Sequence, residues 1–153
     1  MIDILEVAGV EISSVVATLP PDEVDNAEVL GRICPERAES IMKATGISKR
    51  RILGKRSDLV DLMSSAAEKA VEIAGVSKSD IGAIIAVSFT SPSRMPAVSC
   101  LVQDRLSFPK NILAFDLSMA CSGYVYGLYL SSILVRQLGK RVLLLDGDVQ
   151  SPF

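Results

Sequence analysis

Between Asp116 and Arg136 the chain carries no charged residue, and this stretch limits the possible folds more than any other. It approaches the roughly 20 residues of a bilayer span, so either lipid or protein has to cover it. Ser118, Cys121, Ser122, Gly123, Gly127, Ser131 and Ser132 dilute its apolar content, more densely than transmembrane helices usually allow. The better reading is a buried strand end, a turn and a buried helix in succession. From Ser122 to Leu138 the helix is apolar nearly all round, through Tyr124, Val125, Leu128, Leu130, Ile133, Leu134 and Val135. Such a helix belongs at the centre of something larger than two layers.

The flanking pattern supplies the sheet. Ile4 to Leu19 is rich in Val and Ile and reads as a strand broken near Gly9, closed by the turn Pro20-Pro21-Asp22. Val24 to Ala44 reads as a partly exposed helix. The break Thr45-Gly46-Ile47-Ser48 leads into a basic turn with Lys49, Arg50, Arg51, Lys55 and Arg56. Ser57 is placed to cap a helix whose apolar positions are Leu59, Leu62, Met63, Ala66, Ala70 and Ile73, with Gly75 just past its end. Ile81 to Phe89 is a continuous apolar strand of the kind covered on both faces. A loop with Pro92 and Pro96 follows, then a helix over Ala97–Leu106, a strand over Asn111–Leu117, the apolar helix ending at Gly139, and a strand over Arg141–Leu145. This alternation predicts an α/β fold with a mixed, mostly parallel sheet packed by helices. Because Ser151-Pro152-Phe153 comes so soon after a core strand, the expectation is a fragment of a larger fold.

Composition removes several function classes. Sixteen basic residues against eighteen acidic ones give a net charge of −2, so nothing global argues for nucleic acid or a membrane surface. The sequence has no histidine, so an imidazole base or a His-ligated metal cannot come from these residues. Cys34, Cys100 and Cys121 are an odd number without CxxC spacing, which suits free thiols in a reducing cytoplasm. The acidic N-terminus lacks the features of a signal peptide. No metal or organic cofactor is expected.

One segment has the pattern of a reactive site. Phe115-Asp116-Leu117-Ser118-Met119-Ala120-Cys121-Ser122-Gly123 sets a cysteine between a buried strand and a buried helix. This resembles a nucleophile elbow, with small neighbours that let a substrate approach. A thiol there lies at the positive end of the helix dipole, and adjacent N–H groups could hold an oxyanion. The competing reading is that Cys121 is simply a small buried apolar residue, which is also the reading for Cys34 and Cys100. A cysteine hydrolase fails twice: Met119 stands where an elbow wants glycine, and there is no histidine.

AFDLSMACSGYVYGL resembles the active-cysteine segment of the β-ketoacyl-acyl-carrier-protein synthase III family, in the thiolase superfamily. Further landmarks occur in order: Thr45-Gly46-Ile47 with Arg50-Arg51, Ala66-Ala67…Ala74-Gly75, Asp80-Ile81, the strand Ile84–Thr90, Pro96, Gln103 and the strand after Gly139. The resemblance covers nearly all of residues 1–153 and implies the N-terminal thiolase-like half of a two-domain, five-layer, homodimeric enzyme. It implies an acyltransferase in which Cys121 accepts an acyl group from acyl-CoA or another acyl thioester. That group then condenses with malonyl-acyl-carrier protein with loss of carbon dioxide, assisted by a histidine and an asparagine of the second half. It also implies that Met95, before Pro96, lines the acyl pocket of a dimer partner or packs in the interface. Lys49, Arg50 and Arg51 would lie near the mouth that receives CoA or carrier phosphopantetheine.

Two features depart from the family pattern. Ser40 and Ala44 stand where CoA-using members often carry tryptophan and arginine, and Asp146-Gly147-Asp148 replaces a Gly-x-Glu-like turn. These departures leave room for a carrier-bound donor or a specialised pathway. The alternative in another class is a non-catalytic thiolase-like subunit that pairs with an active partner.

Overall fold

The computed structural model describes residues 6–54 and 57–150; Ile4, Lys55, Arg56 and Ser151-Pro152-Phe153, named above, lie outside them. In chain order the elements are β1 Asp22–Asp25, α1 Asn26–Ile33, α2 Ala38–Thr45, β2 Lys49–Ile52, α3 Leu59–Ile73, β3 Ile81–Val87, α4 Val98–Arg105, β4 Leu113–Leu117, α5 Gly123–Leu138 and β5 Arg141–Asp146. Over the described residues they fall into two units, one of Leu59–Val149 with residues 6–18, the other of residues 19–54, 57 and 58 with Gln150.

In the larger unit β3, β4 and β5 form a parallel sheet in the order β4-β3-β5. The central strand β3 is buried along its whole length, as its unbroken apolar run requires. Parallel crossovers are right-handed. The chain steps from β3 to β4 on one side, then back across β3 to β5 on the other, so α4 and α5 take opposite faces. Accordingly α4 packs on β3 and β4 beside α3, while α5 packs on β5 and β3. The α3/α4 face holds the main core, with Val60, Met63, Ala67, Ile84, Val98 and Val102 all buried.

Several sequence expectations change here. Among residues 6–19 no strand forms, because the segment has no ladder partner. It is tied down by single bonds instead, such as Ser14 Oγ to Ala70 O at 2.9 Å and Arg136 Nη1 to Ala8 O at 2.6 Å. The helix expected over Val24–Ala44 is split: Val24 lies in β1, and Pro35 opens a 3-10 turn between α1 and α2, since proline has no N–H to continue a helix. Helix α3 begins at Leu59, so Asp58 rather than Ser57 precedes its first residue. Its buried face runs through Leu59, Val60, Met63, Ser64, Ala67 and Val71, which leaves Ile73 exposed. Gly75 does end the helix, at φ +63°, with Val76 N donating to Val71 O at 3.3 Å, a Schellman bond. The strand read as buried over Asn111–Leu117 starts at Leu113 and is only partly covered.

The central helix expected after Cys121 is present as α5, but within this chain only one of its sides is covered. Gly123 and Gly127 are its buried residues; Tyr124, Val125 and Tyr126 are 48%, 67% and 50% exposed. Those two glycines, one turn apart, let α5 close on the sheet. A Cβ at Gly123 would lie 2.4 Å from Val87 Cγ1, and one at Gly127 would lie 2.7 Å from Leu144 Cδ1.

Helix α4 has no cap of its own, because Ala97 stands at its N-cap. Asp116 on β4 supplies one from 18 residues away: Val98 N donates to its Oδ2 at 2.7 Å and Ser99 N to its Oδ1 at 2.9 Å. Asp116→Ala should cost about 1–2 kcal/mol, and Asp116→Asn should lose less because it keeps an acceptor. Urea unfolding midpoints of the two variants check this ordering.

In the smaller unit β1 and β2 pair antiparallel, with Glu23 opposite Arg51. Asp25 caps α1 through Ala27 N at 2.7 Å. The buried Asn26 holds the start of β2 by donating from N to Ser48 O and from Nδ2 to Ile47 O. Helix α2 ends at Gly46, which is left-handed at φ +70°.

Candidate active site

The three parallel strands end together, with Val87 paired in register with both Leu117 and Asp146. Their following loops, Ser88–Thr90, Ser118–Ser122 and Gly147–Val149, therefore share the C-terminal edge of the sheet. After β3 and β4 the chain departs to opposite faces. This makes the gap between them the switch point at which α/β sheets bind ligands.

Cys121 sits at that point. It is the middle residue of a 3-10 turn, Ala120–Ser122, that runs straight into α5, and its thiol is exposed and free. Within this chain Cys121 is not the buried apolar residue of the competing reading. Small residues make the turn. Ser122 closes it by donating to Met119 O from both N (3.2 Å) and Oγ (2.8 Å), and the Gly123 N–H donates to Ala120 O. The N–H of Cys121 itself has no hydrogen-bond partner among the described residues. The backbone strain expected of an elbow falls one residue early, on Ala120 at φ +46°, a conformation that costs a non-glycine residue about 1–3 kcal/mol.

Beside the turn, Asp148 binds the Ser88–Thr90 loop, and Asp146 lies two residues before it. Asp146 is exposed at its surface. Partial burial of its carboxyl, and then the neighbouring Asp148 carboxylate, raise its pKa above the ordinary value. The folded chain thus holds that proton more tightly than the unfolded chain does. The contribution of Asp146 to stability should fall as pH rises from the unfolded value, about 3.9, through the raised one, and level off above it. Asp146→Asn should remove that decline and be the more stable form at neutral pH, as urea midpoints measured across pH 3–7 would show.

The other predicted site residues are placed as follows. Met95 is 86% exposed, in the loop before α4. Lys49, Arg50 and Arg51 form part of strand β2 in the smaller unit rather than a turn. Lys49 and Arg51 share a face and both reach Glu23, at 2.8 and 3.5 Å, and Arg51 also donates to Pro21 O at 2.6 Å. The Lys49 hydrogen bond and charge hold the Glu23 carboxyl below its usual range. Arg50 points to the other face and makes no such bond among the described residues. Cys34 and Cys100 are free and half-buried.

A groove at the opposite, N-terminal edge of the sheet is lined by Glu11, Asp80, Lys140 and Arg141 among others. Its cations are engaged, Lys140 with Ser79 O at 3.1 Å and Arg141 with Ser13 Oγ. Among the described residues no three His, Cys, Asp or Glu side chains gather as a metal site, and no helix is long and apolar enough to cross a membrane.

No protein-family model matches the chain. Curated relatives do. It is 39% identical over 127 residues to the β-ketoacyl-[acyl-carrier-protein] synthase III of Alkalilimnicola ehrlichii, covering 83% of this chain and 39% of that protein. It is 37% identical over 134 residues to the enzyme of the same name from Serratia proteamaculans, covering 87% and 42%. A crystal structure of a 3-oxoacyl-(acyl-carrier-protein) synthase III superposes with a TM-score of 0.83 at 35% identity, over 93% of this chain and 42% of that one. The chain thus spans about two fifths of the length of the curated relatives it matches. The fold is the thiolase-like α/β fold of these enzymes, and over that span the chain belongs to the β-ketoacyl-acyl-carrier-protein synthase III family.

Proposed function

We propose that the chain is the N-terminal, acyl-accepting half of a β-ketoacyl-acyl-carrier-protein synthase III-type enzyme, with Cys121 as the residue acylated. The observation that carries this reading is the exposed Cys121 thiol in a small-residue turn at the switch point, with no partner for its own N–H among the described residues. In the first step the Cys121 thiolate attacks the carbonyl carbon of an acyl thioester. The carbonyl oxygen becomes an oxyanion that accepts from the Cys121 N–H. The bond from carbon to the donor sulfur then breaks, and the donor thiol leaves with the proton Cys121 gave up. Covalent loading divides one difficult carbon–carbon bond formation into two easier steps.

In the second step malonyl-acyl-carrier protein loses carbon dioxide. The resulting enolate carbon attacks the acyl carbon, Cys121 is released as thiolate, and the product is a β-ketoacyl-acyl-carrier protein. The histidine and asparagine that family resemblance assigns to this step are supplied from outside these 153 residues, which contain no histidine. The chain alone is therefore unable to complete the condensation. It works in the cytoplasm as part of a homodimer, in which the exposed Met95 side chain meets the partner subunit at its acyl pocket or interface. Of the three basic residues on β2, Arg50 is the one without a partner among the described residues, and so the one left to meet a CoA or phosphopantetheine phosphate, because Glu23 occupies Lys49 and Arg51.

Intact mass after incubation with acetyl-CoA, longer acyl-CoA thioesters and acyl-acyl-carrier protein tests the reading. An acyl adduct mapping to Cys121 supports it and identifies the donor. A folded chain that gains no adduct from any donor overturns it in favour of the non-catalytic partner subunit.

A further inference from the structure

Four donors converge on a single carboxylate oxygen at the C-terminal edge of the sheet. Asp148 Oδ1 accepts from Ser88 Oγ at 2.8 Å, Phe89 N at 2.9 Å, Thr90 N at 3.1 Å and Thr90 Oγ1 at 2.9 Å. The loop returns the contact, since Val149 N donates to Thr90 Oγ1 at 2.8 Å. A second strand-end bond runs from Gly147 N to Val87 O at 3.1 Å. The end of β5 is thus clamped to the end of β3, 58 to 60 residues away in sequence.

The clamped end of β3 also borders the cysteine turn on both sides. Before Cys121, Ser88 N donates to Leu117 O at 3.1 Å. After it, Val87 Cγ1 fills the space that a Cβ on Gly123 would need. Moving Ser88 would therefore move the residues that flank Cys121.

We infer that Asp148 is a positioning residue for Cys121, acting through the Ser88–Thr90 loop to hold the turn in its acyl-accepting geometry. This rests on the reading of Cys121 as the acyl acceptor. What the clamp requires is an acceptor oxygen at that place more than a full negative charge, so an amide should largely replace it. Misplacement of a reacting group by about 1 Å costs about 100-fold in rate.

The test uses Asp148→Ala, Asp148→Asn and the milder Ser88→Ala, which removes one of the four donors. Two rates are followed: acylation of Cys121 by acyl thioesters, and alkylation of Cys34, Cys100 and Cys121 by iodoacetamide, each mapped by peptide mass. Asp148→Ala should slow Cys121 acylation about 10- to 100-fold through the saturating rate rather than the half-saturating donor concentration. Ser88→Ala should slow it less, and Asp148→Asn should keep most of it. Alkylation of Cys121 should depart from its wild-type rate while Cys34 and Cys100 keep theirs. Wild-type behaviour of Cys121 in Asp148→Ala overturns the inference. So does a general rise in labelling of all three cysteines, which would mark Asp148 as a plain stability residue. If no thioester acylates the wild-type chain, the proposed function has failed, and the alkylation rate of Cys121 alone still decides whether Asp148 positions it.

Discussion

Cys121→Ala is expected to abolish acyl loading, reducing it by about 10,000-fold or more to the level of thioester background. The turn holds a single cysteine and its thiol is exposed, and an alanine there leaves the oxyanion donor without a thiolate to attack. Serine should not rescue the reaction, because a hydroxyl needs a neighbouring base and the sequence provides no histidine. Cys34→Ser and Cys100→Ser should load normally. Cys34 lies in the smaller unit at the end of α1, and Cys100 lies on α4 with its Sγ 4.0 Å from Ala114 O. Because Cys121 is exposed, its alanine variant should unfold within about 0.5 kcal/mol of wild type, so lost loading cannot be blamed on lost fold. Mass spectrometry after incubation with a competent acyl thioester reads the result. An adduct that persists in Cys121→Ala would transfer the acceptor role to another residue.

The second large effect concerns the two glycines of α5. By helix propensity alone, alanine at either position should stabilise by about 1 kcal/mol. Packing opposes this to different degrees. At Gly123 the new Cβ meets Val87 Cγ1 at 2.4 Å, and Val87 is a β-branched residue in a fully buried strand, with one stiff rotamer. At Gly127 the closest atom is Leu144 Cδ1 at 2.7 Å, the far end of a side chain that can turn aside. Gly123→Ala should therefore destabilise by about 1–3 kcal/mol and also slow Cys121 loading, since it pushes on the residue two places from the thiol. Gly127→Ala should cost clearly less. Urea unfolding gives the order, and Val87→Ala placed in the Gly123→Ala background should recover part of the loss through pairwise coupling. A Gly123→Ala chain more stable than wild type would show that α5 does not rest on β3 as described.

Where an element is built by apolar burial, the sequence shows it. The all-buried run of β3, the helix α5 with its closing Gly139 and the left-handed Gly75 were all legible because each is dictated by residues within the element. The hairpin of β1 and β2 was not, because DEVD and KRRI carry almost no apolar alternation. These strands are held by charges facing across the ladder, such as Glu23 and Arg51. The opposite error occurred at residues 6–19, where Val and Ile suggest a strand but Ile12 and Val15 remain exposed for want of a partner. On α3 two apolar stripes compete, and only packing against α4 and the sheet selects the one through Val60, Ala67 and Val71. The Cys121 turn was readable from its small residues. The Asp148 clamp was not, since it depends on residues brought together across some sixty positions; from sequence, Asp148 is only a departure from a Gly-x-Glu-like turn.

The borrowed cap on α4 also sets an order of events during folding. An eight-residue helix is too short to persist alone, and this one is synthesised 18 residues ahead of the carboxylate that satisfies its first N–H groups. As the chain emerges from a ribosome, Val98–Arg105 lacks its cap until Asp116 has emerged and β4 has docked on β3. Helix α4 is therefore a late element that the sheet templates, and a peptide of residues 97–106 taken from its context should remain coil.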